Sequence, residues 1–231
     1  LEGDTTLADL SGYPVLVYPH PVIMTNERAE LLKSYVEQGG TLIIGCRAGY
    51  KDGNGHCVMM PQPGLLAELT GSDVEEFTFV SKAEEEIFAD WNGHPLPVPM
   101  FQDIMSVSER EQTKVLAVYQ GGYYKGKAAL IEKRLGKGRT LHLGSAFCRE
   151  NVRMLLDYTG VLEPFAETVE APEGVEVVMR RKEGQEFLFL LNFQNREERV
   201  LVKKEGRCLE SGEKVQGEIR LKAFETRVLK L

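Results

Sequence analysis

The sequence predicts an α/β domain followed by a small all-β domain. Two strand-sized apolar runs, 14–18 and 41–46, flank a segment with helical periodicity. That is the signature of a βαβ unit whose parallel strands are covered on both faces. A stretch holding Pro164, Pro172 and several glutamates then breaks the pattern near 161–172. Beyond it only strand-like runs separated by turn pairs occur. The boundaries drawn this way are 1–163 for the α/β domain and 168–231 for the β domain.

Each element has a local reason. Pro14 to Tyr18 is short, β-branched and aromatic, and Pro19-His20-Pro21 ends it. Thr25 is a good N-cap, and Glu27 suits the positive end of the following helix. Leu31, Leu32, Tyr35 and Val36 form its apolar face, and Gly39-Gly40 stops it. Thr41 to Cys46 is apolar throughout. A polar, glycine-containing loop runs from Arg47 to Gln62, and Pro63 opens a short helix ended by Gly71. Val74 to Val80 reads as a strand. Asn92-Gly93 marks a hairpin. Pro95, Pro97 and Pro99 confine their segment to an edge or a loop. Lys114 to Tyr119, Lys127 to Arg134 and Arg139 to Leu143 are strands, the last two joined at Gly136-Lys137. Arg149 to Tyr158 is a helix burying Val152, Leu155 and Leu156. In the tail, Phe187, Phe189 and Phe193 are expected to be core by strand parity.

Composition excludes several classes of function. The 231 residues carry a net charge of −7 and no basic stripe, so no nucleic-acid partner is expected. Arg180-Arg181-Lys182 reads as a solvated strand end. No run reaches the 18 or so apolar residues of a membrane helix, and no signal peptide is expected. The four cysteines fit neither a disulfide framework nor a metal knuckle, which points to a cytoplasmic protein.

Candidate chemistry is sparse. Gly45-Cys46-Arg47-Ala48-Gly49 follows a strand, where flavodoxin-like amidotransferases place a nucleophilic cysteine. An elbow centred on Cys46 needs glycine two residues upstream, and Ile44 stands there. A structural cysteine is expected. His20, His94 and His142 are isolated and His56-Cys57 are adjacent, so no metal and no cofactor is expected. Asn26-Glu27 resembles the acid/base pair of barrel glycosidases, but its position in a helix's first turn assigns it a capping role. Glu84-Glu85-Glu86 reads as a solvated turn. Gly121-Gly122 and Gly136-Lys137-Gly138 lack the strand–loop–helix context of a phosphate cradle. Residues 161–231 contain no Trp or Tyr on which a sugar ring would stack.

The order of motifs is similar to a known family. Leu10-Ser11-Gly12-Tyr13 runs into Val15 to Pro19. Then come Tyr35-Val36-Glu37-Gln38-Gly39-Gly40-Thr41-Leu42 and Arg47-Ala48-Gly49-Tyr50-Lys51-Asp52-Gly53-Asn54. Pro63 to Gly71, Gly126 to Ala129, Gly136 to Arg139 and Phe187 to Phe193 continue the match. Together these resemble the middle and C-terminal domains of the glycoside hydrolase family 42 β-galactosidases.

The resemblance implies a flavodoxin-like, class I glutamine amidotransferase-like, mostly parallel sheet domain that mediates trimer formation. A small antiparallel β domain follows it. It also implies that the first strand and helix of such a sheet lie upstream of Leu1. The family's catalytic glutamates belong to a (β/α)₈ barrel of about 200 residues or more, which this chain cannot hold. No catalytic residue is therefore assigned, and the chain alone is expected to be inactive. The implied partners are two further copies in a homo-trimer and the parent's barrel. Arg47, Lys51, Asp52 and Asn54 are expected to edge the parent's substrate pocket. The plainer alternative is that Arg47 and Asp52 simply pair with each other. Two further readings stand beside this one: a stand-alone amidotransferase-like hydrolase using Cys46, and a small-ligand-binding module.

Overall fold

The computed structural model describes residues 4–80, 87–107, 112–162 and 165–231. Glu84-Glu85-Glu86 and Pro164 lie outside them. The chain divides into two compact units, Leu1–Leu162 and Glu163–Leu231.

In the first unit, α1 (Leu7–Ser11), β1 (Val15–Tyr18), α2 (Asn26–Glu37) and β2 (Thr41–Ile44) open the chain. Thr25 caps α2, its hydroxyl accepting from the Arg28 N–H at 3.3 Å. Ala29, Leu32, Tyr35 and Val36 are the buried face. β1 and β2 pair in parallel, so the expected βαβ unit forms. All four residues of β2 are buried, and they alternate between two cores. Leu42 and Ile44 face Leu32, Tyr35 and Val36. Ile43 faces the other way, toward Leu141, Leu143 and Leu155. Each such side chain contributes about 1.5–3 kcal/mol by leaving water.

The parallel pattern stops almost at once. A helical turn with α3 (Ala67–Thr70) leads into β3 (Ser72–Phe79), β4 (Phe88–Trp91), β5 (His94–Pro97), β6 (Phe101–Val107), β7 (Thr113–Gln120), β8 (Ala128–Leu135) and β9 (Gly138–Leu143). The sheet order is β1-β2-β9-β8-β7-β4-β5, with β6 joined to β8 and β3 to β6. Among the described residues, only the strand pairs β1–β2 and β2–β9 of this sheet are parallel; the other pairs are antiparallel. α4 (Arg149–Thr159) packs behind the sheet.

The flavodoxin-like, amidotransferase-like parallel α/β assignment is therefore wrong. The chain is mostly β, 46 % strand and 16 % helix, with curled sheets. The reason lies in the connections. A parallel pair needs a crossover of a dozen or more residues, usually helical. After β2 the chain supplies tight turns instead: Asn92-Gly93 between β4 and β5, and Gly136-Lys137 between β8 and β9. The proline-rich strand β5 takes an outer edge, where missing N–H donors cost least.

The second unit contains β10 (Val169–Glu170), β11 (Val175–Lys182), β12 (Gln185–Asn192), β13 (Glu198–Cys208), β14 (Lys214–Leu221) and β15 (Thr226–Lys230). They form one antiparallel sheet in the order β10-β13-β15-β12-β11, with β14 on β13. Its core is Val175, Leu188, Leu190, Val200, Val202, Leu221 and Leu229. The expected parity of β12 is reversed. Leu188 and Leu190 point inward, Phe187 and Phe189 lie half-buried on the other face, and Phe193 is 59 % exposed. The run Phe-Leu-Phe-Leu-Leu is apolar in both parities, so alternation alone does not choose its face. Buried Asn192 is fully used. Its Nδ2 donates to the carbonyls of Arg196, Leu221 and Lys222, and its Oδ1 accepts from the Gln194 N–H.

Candidate functional site

The carboxyl end of β2 is the place to look, because open sheets gather ligands at strand ends. There the chain turns through Gly45-Cys46-Arg47-Ala48-Gly49. Arg47 has φ +63°, in the left-handed region. Gly49 follows at φ +66°, and a Cβ there would lie 1.9 Å from the Pro63 carbonyl oxygen. A Cβ on Gly45 would press on His20 and Phe147 at 3.3 and 3.4 Å. The Gly-x-Arg-x-Gly spacing is that of a nucleophile elbow, but its apex is Arg47. Centring the motif on Cys46 finds Ile44 where glycine is needed; one residue later, both glycines are present. The signal is in the sequence, and it puts a guanidinium where a nucleophile would stand.

Cys46 itself points inward. It is buried, with Sγ 3.6 Å from His20 Nδ1, and that nitrogen lies 3.3 Å from the Cys46 carbonyl oxygen. A cysteine and a histidine thus meet, yet burial, aided by the charge of Asp103, pushes the thiol up to about 12. The thiolate is the nucleophilic form, and almost none exists here at neutral pH.

Arg47 is held from two sides. Its backbone N–H donates to Asp103 Oδ2 at 2.7 Å. Its guanidinium carbon lies 3.9 Å from the Tyr50 ring centre, 3.8 Å from that of Phe77 and 5.6 Å from that of Phe101. All three are within cation–π range. Nη1 is buried with no hydrogen-bond partner, so the ring faces supply its electrostatic compensation. Asp103 is fully buried. Burial raises its carboxyl to about 6, against the opposing pull of the Arg47 N–H and charge. Tyr119 Oη lies 3.0 and 2.9 Å from the carbonyl oxygens of Asp103 and Gly144, fixing β6 beside the turn.

The other expected site residues fall elsewhere in the loop. Asp52 Oδ1 accepts from the N–H groups of Asn54 and His56, both at 2.9 Å. These bonds, the one from His56 foremost, hold the Asp52 carboxyl below its ordinary value. Lys51 is fixed by backbone bridges to Ile23 and Cys57, and Asn54 is exposed. Asp52, Asn54 and His56 thus share one turn, while Arg47 takes Asp103 as its acidic partner in place of Asp52. The sequence reading missed Asp103 because Gln102 and Asp103, both buried, disguise β6 as polar chain. Asn26 and Glu27 occupy the first turn of α2. No group of three or more His, Cys, Asp or Glu side chains suited to a metal occurs among the described residues. No helix among them is long and apolar enough to cross a membrane.

A buried thiol, a stacked arginine at the elbow's apex and a carboxylate bonded to backbone make a structural junction. The first unit carries this junction, and the small β unit follows it in the chain. The comparisons place the chain. The β-galactosidase trimerisation domain family matches residues 5–161, and the β-galactosidase C-terminal domain family matches residues 174–231. The chain belongs to the GH42 β-galactosidases, through their non-catalytic trimerisation and C-terminal domains. β-Galactosidase BglY of Alicyclobacillus acidocaldarius is 29 % identical over 228 residues, 95 % of this chain and 33 % of that protein. β-Galactosidase Pbg of Clostridium perfringens is 28 % identical over 234 residues, 96 % of this chain and 33 % of that protein. Among solved structures, the β-galactosidase of Bacillus circulans sp. alkalophilus superposes with a TM-score of 0.82 at 26 % identity, over 96 % of this chain and 33 % of that one. A GH42 β-galactosidase from G. stearothermophilus gives 0.84 at 22 % identity, over 96 % and 32 %. The chain spans about a third of the length of the curated relatives it matches.

Proposed function

We propose that this chain is the assembly portion of a β-galactosidase: it associates with two further copies and supports a catalytic barrel outside the chain. The parent would hydrolyse terminal β-D-galactosides by a retaining two-glutamate mechanism in that barrel. The observation that carries the non-catalytic part is Arg47 at the apex of the turn after β2, with Cys46 buried beneath it. Trimerisation is supported by the family that matches residues 5–161. In the same reading, Lys51 and Asn54, on the open side of the Arg47–Asn54 loop, edge the parent's substrate pocket. Arg47 shapes that loop by stacking on Tyr50, and Asp52 by accepting from the Asn54 and His56 N–H groups. A cytoplasmic location belongs to this proposal too, and four free cysteines support it.

The test is an assay of the purified chain against a chromogenic β-galactoside and, separately, for glutamine hydrolysis. Neither substrate is expected to turn over. Turnover of the galactoside, or glutamine hydrolysis abolished by Cys46→Ser, would overturn the non-catalytic reading.

A further inference from the structure

We infer that the aromatic face around Arg47, carried by β3, β6 and the Tyr50 segment, is the surface through which one copy of the protein meets another. This rests on the assembly reading above and adds where the contact lies.

The face is built by register. β3 and β6 pair so that Phe77 stands opposite Asp103 and Phe79 opposite Phe101. Residues two apart in a strand share a side, so Phe77 and Phe79 project together. Phe79 meets Phe101 edge-to-face at 5.6 Å, and Phe77 meets Tyr50 the same way at 5.6 Å. The Arg47 guanidinium lies among Tyr50, Phe77 and Phe101. These rings are ordered against one another, yet they are not covered. Phe77 is 44 % exposed and Phe79 61 %.

An aromatic side chain buries about 150–250 Å² when fully covered. Leaving two half-open is a cost that a monomer does not need to carry. Contiguous exposed apolar surface of this kind marks an interaction site. The residue types narrow the occupant. Phe, Tyr, Met and Arg are enriched at the cores of protein–protein interfaces, where Lys and Glu are depleted. Glu76, between the rings and the start of β3, is engaged by Tyr124. Tyr and Arg held rigidly before contact are typical of the few residues that dominate binding energy. The trimerisation family that matches this unit makes the occupant a second copy of the protein.

The test is sedimentation velocity on the full chain and on Phe77→Ser/Phe79→Ser, with Tyr13→Ser, an exposed tyrosine between α1 and β1, as control. Phe79 is solvent-exposed, whereas Phe77 also stacks on Arg47. Circular dichroism therefore checks the fold of the double variant, and Phe79→Ser alone, which leaves that stack in place, carries the test if the double variant is perturbed. The proposal expects a self-associated wild type and control. The double variant should associate at least about 30-fold more weakly. A double variant that associates like wild type would overturn the assignment of this face and leave the assembly reading standing. A wild-type chain that stays monomeric at 100 μM would overturn the assembly reading itself, and this inference with it.

Discussion

The backbone N–H of Arg47 donates to Asp103 Oδ2 across 2.7 Å, tying the turn after β2 to a strand 56 residues further along. A carboxylate serves here as the acceptor for a strained turn. Arg47 pays a conformational cost of about 1–3 kcal/mol in the left-handed region, and this bond offsets part of it. Asp103→Ala leaves a partly buried N–H unmatched and should destabilise the first unit by about 1–3 kcal/mol. Urea unfolding at pH 5, below the value to which burial raises the carboxyl, measures it. A loss under about 0.5 kcal/mol would mean that the bond does not hold the turn.

The same carboxylate gives the chain an uneven response to pH. Folding raises the Asp103 carboxyl from 3.8 to about 6, so its stabilising contribution is full below 3.8 and lost as pH rises through about 6. His142 works the other way. Complete burial lowers it from 6.5 to about 4, so its contribution is full above 6.5 and lost as pH falls toward 4. Between about 4 and 6 the two oppose each other. In Asp103→Asn only the His142 trend should remain, and stability should climb more steeply from pH 4.5 to 6.5 than in wild type. Equal slopes in urea titrations would show that Asp103 is not the group that titrates there.

The thiols should react in the order of their exposure. Cys57 is exposed and Cys46 is buried with its thiol pushed up to about 12. A thiol-directed chromophore at pH 7.5 should label Cys57 quickly. Cys46 should wait for unfolding. Mass mapping that finds Cys46 labelled as fast as Cys57 in the native chain would restore the nucleophile reading.

Glycines in left-handed backbone should not all cost the same to replace. Gly160 ends α4 at φ +78° with open space around its Cβ position. Gly160→Ala should cost about 1–2 kcal/mol from backbone strain alone. Gly49 has the same kind of φ, and a Cβ would also strike the Pro63 carbonyl. Gly49→Ala should therefore exceed Gly160→Ala clearly in chemical denaturation. Equal losses would show that the Pro63 segment yields freely.

Much of the local structure was legible in the residues. Thr25 and the Leu32, Tyr35, Val36 face gave α2, and the uniformly apolar Thr41–Ile44 gave a strand buried on both sides. Asn92-Gly93 and the three prolines gave an edge hairpin. The fold class was not legible from that opening. A correct βαβ unit was extended to a whole sheet, while the short turns further on already required antiparallel pairing. β6 was hidden because its inward positions include Gln102 and Asp103, whose burial depends on partners far along the chain. The face of β12 was hidden by apolar residues in both parities. The Arg47–Asn54 loop is legible in the sequence as a polar connection after a strand, but its wiring is not. Arg47 turns to Asp103 and three rings, contacts that only tertiary structure brings together.

As the proposed assembly portion of a β-galactosidase, the chain is expected to associate with itself. Sedimentation equilibrium on the purified chain, from about 1 to 100 μM, tests it most directly. Reversible association approaching three copies is expected. A monomer across the whole range would contradict it.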